Sequence, residues 1–315
     1  MRVVYFGSGP FSIPAFRRLL QSPHECAAVI TQPDRRAGRG KKTQPTPLAS
    51  HALREGIEPI RAEDVNTPEF VDKIRSLNAH LGVVAAFGQM IKAPLREAFP
   101  GGCINLHASL LPRYRGAAPI HWAILGGEKK TGVTAFRLVD RMDAGPILVQ
   151  RETMIRPDET AGELHDRLAR VACDAMDATL VILEQNLDFP GEPQDESLAS
   201  LAPKLFKSDG YLDFREPAER LALKCRAMWP WPGARCLYVG SGDKKEEVTI
   251  ATAQALTPAV DAPPGTLTED LCVATSEGAL RILAIKPAGK RLMAWEDFVN
   301  GRRVVAGNRF ESLKS

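Results

Sequence analysis

Four short, nearly unbroken apolar runs mark the first third of the chain: Val3 to Phe6, Ala27 to Thr31, Leu81 to Phe87 and Cys103 to Leu106. Between them lie Gly- and Pro-rich turns and segments with helical spacing, such as Thr67 to Leu77. Runs that do not alternate with polar residues suit strands covered on both faces. Their alternation with helical segments predicts an α/β domain built on a doubly wound, mostly parallel sheet. Thr134 to Leu138 and Ile147 to Gln150 read as two further strands. Thr160-Ala-Gly-Glu163 is a capping box, and Leu164, Leu168, Val171, Ala175 and Ile182 follow it at helical spacing. They predict a long helix to about Gln185.

The pattern then changes. Asn186, Asp188, Pro190, Gly191 and Pro193 open a stretch without periodicity, which reads as a linker over 187–204. Beyond it, Cys236 to Val239, Val248 to Ala251, Cys272 to Ala274 and Ala279 to Ile285 are short strands separated by turns such as Gly240 to Asp243. They predict a small β-barrel or sandwich over 205–315, following an α/β domain over 1–186. A length of 315 residues suits two such domains.

Composition narrows the class. With 44% apolar and 25% charged residues the chain is neither disordered nor fibrous. No apolar run approaches the ~18 residues of a membrane helix, and the N-terminal residues enter a strand at once, without a secretory signal. These features read as a soluble, cytoplasmic protein without a membrane partner. Cys26, Cys103, Cys173, Cys225, Cys236 and Cys272 are dispersed, with no C-x-x-C pair and no histidines at ligand spacing. We expect free thiols in a reducing compartment and no metal. The net charge of +3 is less telling than its distribution. Arg35, Arg36, Arg39, Lys41 and Lys42 crowd into one segment, beside Asp34 alone. Such a segment is either a solvated loop or a phosphate-contacting one.

Gly7-Ser8-Gly9 after the first run opens like a dinucleotide fingerprint. The match fails at Ser12, where a third glycine belongs, and at Pro14, and Asp34 lies beyond the second strand. NAD(P) binding is therefore disfavoured. The densest polar signal is Cys103-Ile-Asn105-Leu-His107-Ala-Ser109-Leu-Leu-Pro112-Arg113-Tyr114-Arg115-Gly116. Asn105 and His107 are two residues apart at a strand end, so both point to one side, at the edge where open α/β sheets bind ligands. An amide beside an imidazole suits a reaction that develops negative charge on a carbonyl oxygen. Asp143, in the turn Val139-Asp-Arg-Met-Asp-Ala-Gly-Pro146, can hold the imidazolium form and relay protons. Read singly, each of the three is also an ordinary core or turn residue. His24, His51, His80, His121 and His165 lack such company.

Asn105-Leu-His107, Ser109-Leu-Leu-Pro112, Arg115-Gly116 and Met142-Asp143-Ala-Gly145 together resemble the formyltransferases that use 10-formyltetrahydrofolate. These include glycinamide ribonucleotide, methionyl-tRNA and amino-sugar enzymes. The resemblance implies a Rossmann-like catalytic domain with Asn105, His107 and Asp143 as the catalytic residues, and an OB-like C-terminal barrel. It implies a folate site formed by Phe87, Gly88, Gln89, Met90, Ser109, Leu110, Leu111, Pro112 and Asp140. The basic segment from Thr31 to Lys42 resembles the insertion loop with which methionyl-tRNA enzymes reach the acceptor stem. Arg35, Arg36, Arg39, Lys41 and Lys42 are then tRNA contacts, with initiator methionyl-tRNA and folate as partners and no obligatory protein partner. Trp229-Pro-Trp-Pro-Gly233 is shared with amino-sugar enzymes and does not discriminate. The alternative acceptor is a nucleotide-linked amino sugar.

Overall fold

The computed structural model describes residues 1–37, 42–257 and 260–313. The chain divides into two compact units, one formed by residues 1–119, 130–154 and 165–202, the other by 120–129, 155–164 and 203–315.

The first unit is built on a seven-stranded sheet. Its strands are β1 (Arg2–Gly7), β2 (Glu25–Thr31), β5 (Ile60–Arg61), β6 (Leu81–Ala85), β7 (Cys103–His107), β8 (Lys130–Arg137) and β9 (Ile147–Met154). A separate hairpin of β3 (Arg35–Ala37) and β4 (Lys42–Gln44) follows β2. The order across the sheet is β5-β2-β1-β6-β7-β8-β9, parallel as far as β7 and antiparallel over the last two strands. From β1 the chain first winds one way to β2 and then crosses to β6, so the strand order reverses at β1. In such sheets ligands bind beside that reversal, at the carboxyl ends of the strands.

Both faces of β1 are covered. Val4 and Phe6 join Ile30, Val84 and Phe99 in a buried cluster with Val71 and Ile74 of the helix Pro68–Ser76. On the other face Tyr5 meets Phe16 of α1 (Ser12–Leu20), with ring centroids 5.5 Å apart. This two-sided burial is why these strands read as continuous apolar runs. The run from Leu81 leaves the sheet after Ala85, because Ala86 turns to φ 46°.

The long helix spans Ala161–Gln185, and its capping box is closed by Thr160 N–H donating to Glu163 at 2.9 Å. The residues that read as a linker contain one 3₁₀ turn, Glu196–Leu198, and otherwise irregular chain bonded to the first unit. Ile147 and Glu192 exchange two main-chain hydrogen bonds, and Arg115 and Ala118 reach Ser200 and Ala202.

In the second unit, β10 (Ala234–Val239), β11 (Lys245–Leu256), β12 (Val273–Ala274), β13 (Ala279–Pro287), β14 (Met293–Ala294) and β15 (Arg309–Ser312) form an antiparallel sheet. Its order is β12-β13-β11-β10-β15, with β14 on β13. The two edges are joined by residues 265–267. Gly265 and Thr266 exchange bonds with Ala274, while Gly265 accepts from Phe310 and Leu267 donates to Asn308. The sheet thus closes into the OB-like barrel. The strand positions follow the apolar pattern, but two helices, Ala218–Met228 and Trp295–Arg302, and β15 are not apparent from alternation alone. The second helix lays Trp295 and Phe298 into the barrel core, where Phe298 stacks on Trp295 and meets the edge of Tyr238. Phe298 is fully buried. Phe298→Ala is expected to cost about 3–5 kcal/mol, read as a lower urea midpoint in the unfolding transition of the barrel.

Candidate active site

β7 carries Asn105 and His107 to the carboxyl edge of the sheet. Asn105 lies opposite Val84 and Phe136, and His107 opposite Thr134. The Asn105 carboxamide is half-buried and makes no hydrogen bond among the described residues. His107 is buried, and both of its ring nitrogens are directed. Nε2 lies 2.9 Å from the Tyr114 carbonyl. A carbonyl only accepts, so Nε2 carries the proton. Nδ1 faces Asp143 Oδ2 at 3.7 Å, an ion-pair distance when the ring is charged but too long for a hydrogen bond.

Asp143 sits at φ 51°, a conformation unusual for a residue other than glycine. Several contacts hold it there. Its Oδ2 accepts the Gly116 N–H at 2.8 Å. Gly116 itself has φ 125°, and a Cβ there would fall 2.6 Å from the Ala202 carbonyl oxygen. A Cβ on Gly145 would lie 1.7 Å from the Arg137 carbonyl oxygen, so the turn after Asp143 accepts only glycine. Gln194 donates to the carbonyls of Asp143 and Gly145 at 2.9 and 2.8 Å. Arg115, 4% exposed, pairs with both carboxylate oxygens of Glu196 and with Gln194 Oε1. Arg141 binds the same Glu196 at 2.6 Å. The hydrogen bond from Arg115, and then that from Arg141, holds the Glu196 carboxyl below its ordinary range. Gln194, Glu196 and Ser200 are absent from the sequence reading, since they lie in the aperiodic stretch. The one sequence hint was an arginine inside the polar motif, which needs an acidic partner once buried.

The other residues expected at the site fall into three groups. Ser109 and Leu111 are buried and shape the loop after β7. Ser109 Oγ donates to the Arg113 carbonyl at 2.7 Å, and Thr134 and Gln150 bind the main chain of Ser109 and Leu111. Leu110 and Pro112 are half-buried in the same loop. Gly88 and Met90 are exposed on the turn after β6, as is Asp140 on the turn after β8, where it pairs with Arg96 at 2.7 Å. Phe87 and Gln89, by contrast, are engaged internally. The Phe87 ring packs against Phe6, and the Gln89 carboxamide bonds to Ala62 and Val65.

Arg35 is exposed and donates to Gln32 Oε1 at 2.9 Å, while Gln32 Nε2 donates to the Phe87 carbonyl. Arg36 and Lys42 lie in the hairpin strands β3 and β4. Arg39 and Lys41 lie outside the described residues. The Gly7-Ser8-Gly9 turn offers no cradle for a pyrophosphate, since the amides of Ser8 and Gly9 both donate to the Ala86 carbonyl. Cys103 is no nucleophile in waiting, because burial pushes its thiol up to about 12. All six cysteines are free. His24 pairs with the chain's amino group, His80 accepts from Arg2 N–H, and His51 and His165 meet Glu55 and Asp166. Among the described residues no cluster suited to a metal ion forms and no helix is long and apolar enough to cross a membrane.

Residues 1–180 match the family described as formyl transferase, and residues 204–303 match the formyl transferase C-terminal domain. A methionyl-tRNA formyltransferase of Methylococcus capsulatus is 42% identical over 312 residues, spanning 98% of this chain and 99% of the relative. One from Solibacter usitatus is 39% identical over 311 residues, spanning 98% of each chain. Among solved structures, an N-formyltransferase from Helicobacter canadensis in complex with folinic acid and dTDP-3-aminofucose shares the fold. Its TM-score is 0.62 at 16% identity, covering 92% of this chain and 99% of that one. HypX from Aquifex aeolicus in complex with tetrahydrofolic acid gives 0.64 at 17% identity, over 95% of this chain and 47% of that one. Matched along nearly its whole length, the chain belongs to the formyl transferase family, within its methionyl-tRNA formyltransferase group.

Proposed function

We propose that the protein transfers the formyl group of 10-formyltetrahydrofolate to the α-amino group of methionyl-tRNA, producing formylmethionyl initiator tRNA for translation initiation. The acceptor rests on one observation, the end-to-end identity with methionyl-tRNA formyltransferases. The fold shared with the folate-bound structures is compatible with a folate-linked donor. The site suits a flat, hydrogen-bonding donor, with exposed main chain at Gly88 and exposed apolar surface at Met90, Val139 and Met142 on the turns after β6 and β8.

Asn105, His107 and Asp143 carry the chemistry in this reading. The amine attacks the formyl carbon, and negative charge develops on the formyl oxygen. The Asn105 carboxamide, with no partner of its own among the described residues, donates to that oxygen. With Nε2 bound to the Tyr114 carbonyl, His107 receives its second proton on Nδ1, facing Asp143. The imidazolium then contributes positive charge beside the developing oxyanion, and the His107–Asp143 pair takes up and returns the proton that passes from the incoming amine to the departing folate nitrogen. An α-amino group has a pKa near ~8, so part of the acceptor is nucleophilic at neutral pH and positioning supplies much of the rate.

The part of the chain over 1–186 would be catalytic, with 187–204 connecting it to a tRNA-binding barrel over 205–315. Arg281, Lys286, Lys290 and Arg291 of that barrel are exposed and form no salt bridge among the described residues, which leaves their charge to phosphates. Arg35, Arg36, Arg39, Lys41 and Lys42 would grip the acceptor end.

The deciding assay supplies 10-formyltetrahydrofolate with either methionyl-tRNA or a nucleotide-linked amino sugar. Formylation of the tRNA is expected, and formylation of the sugar alone overturns the acceptor assignment. Asp143→Asn should lower kcat by ~10²–10⁴-fold without loss of folding, as for removal of a general acid–base group. Neutralising Arg39, Lys41 and Lys42 together should reduce kcat/KM for methionyl-tRNA and flatten its salt dependence by about one unit of slope per lost phosphate contact. Folate affinity, measured by direct titration, should stay unchanged in that variant.

A further inference from the structure

The geometry points to Gln194 as a positioning residue that acts through Asp143, an inference that rests on the catalytic assignment of Asp143. The Gln194 carboxamide is fully used. Nε2 donates to the carbonyls of Asp143 and Gly145 at 2.9 and 2.8 Å, and Oε1 accepts from Arg115 Nε and Nη2 at 3.1 and 2.7 Å. Both N–H groups and both lone pairs thus have partners. The orientation of the amide is unambiguous, since a guanidinium can only donate and a carbonyl can only accept.

The contacts close a ring. Asp143 is held through its carboxylate by the Gly116 N–H, and through its main chain by Gln194, which is held in turn by the Arg115 side chain. The adjacent residues Arg115 and Gly116 therefore fix the main chain and the carboxylate of Asp143 together. Asp143 occupies a left-handed conformation that a non-glycine residue keeps only where its surroundings over-determine it. Gln194 spans the turn, gripping the carbonyl at Asp143 and the one two residues later. Without those two bonds the turn is free to relax toward ordinary φ, which swings Oδ2 away from His107 Nδ1. Arg115 in turn is buried and held by both oxygens of Glu196, so the anchor of Gln194 is itself fixed.

Two substitutions remove the donor in different ways. Gln194→Met keeps the length and removes all polarity, and Gln194→Glu keeps an acceptor for Arg115 but sets an oxygen against two carbonyls. Both should lower kcat by about 10- to 100-fold with tetrahydrofolate affinity within threefold of the parent. Because the two residues act as a unit, Asp143→Asn combined with Gln194→Met should be no slower than Asp143→Asn alone. A kcat within twofold of the parent in both single variants overturns the inference, as do multiplicative losses in the double variant. Loss of the folded state in both variants makes Gln194 a residue of the fold and likewise overturns it. Parental turnover in Asp143→Asn instead sinks the catalytic assignment itself, so the two failures are told apart.

Discussion

A carboxylate and an imidazole can be kept out of water only where their neighbours supply partners for every polar atom around them. Asp143 and His107 impose that requirement on the first unit, and much of its irregular chain answers it. The Tyr114 carbonyl takes one ring proton, the Gly116 amide takes one carboxylate oxygen, and Gln194 satisfies the main chain of the turn. The irregular segment up to Ala202 supplies Gln194, Glu196 and Ser200, and the loop after β7 is bound along its length to that segment and to β8 and β9. The Asn105 carboxamide stands apart, with no hydrogen-bond partner among the described residues, which leaves its N–H groups available to the charge proposed to develop on the formyl oxygen.

The sheet could be read from the chain because its central strands are buried on both faces and so leave unbroken apolar runs. The long helix was legible from its cap, whereas the short strands of the second unit suited a barrel or a sandwich alike, and only the family resemblance implied the OB-like barrel. What escaped reading was of two kinds. The helices of the second unit follow turns and short strands, where alternation is the stronger pattern, and β15 is only four residues long. The run from Leu81 to Phe87 hides the end of a strand, because Ala86 carries no mark of its left-handed turn.

The residues that the structure brings together at the candidate site were legible where they share one motif and illegible where they are sequence-distant partners. Asn105 and His107 share a strand, and Asp143 stood out beside Gly145, whose role the structure makes plain: only glycine fits against the Arg137 carbonyl. Gln194 and Glu196 lie ~80 residues from Arg115, in a stretch whose composition signals only turns. Phe87 and Gln89 present a different case. They flank the strand end, but a phenyl ring beside a core and an amide beside free main-chain groups find partners inside the protein first.

The turn after β1 carries a broader implication. One carbonyl, that of Ala86, receives the amides of both Ser8 and Gly9. In a nucleotide-binding relative of this topology, those amides would greet a phosphate. Here the chain carries its own stopper, supplied by the neighbouring strand end, so an incoming diphosphate would first have to evict main chain. The left-handed turn at Ala86 thus leaves the first strand's turn with its amides already satisfied, while the Asn105 carboxamide at the end of β7 has no hydrogen-bond partner among the described residues.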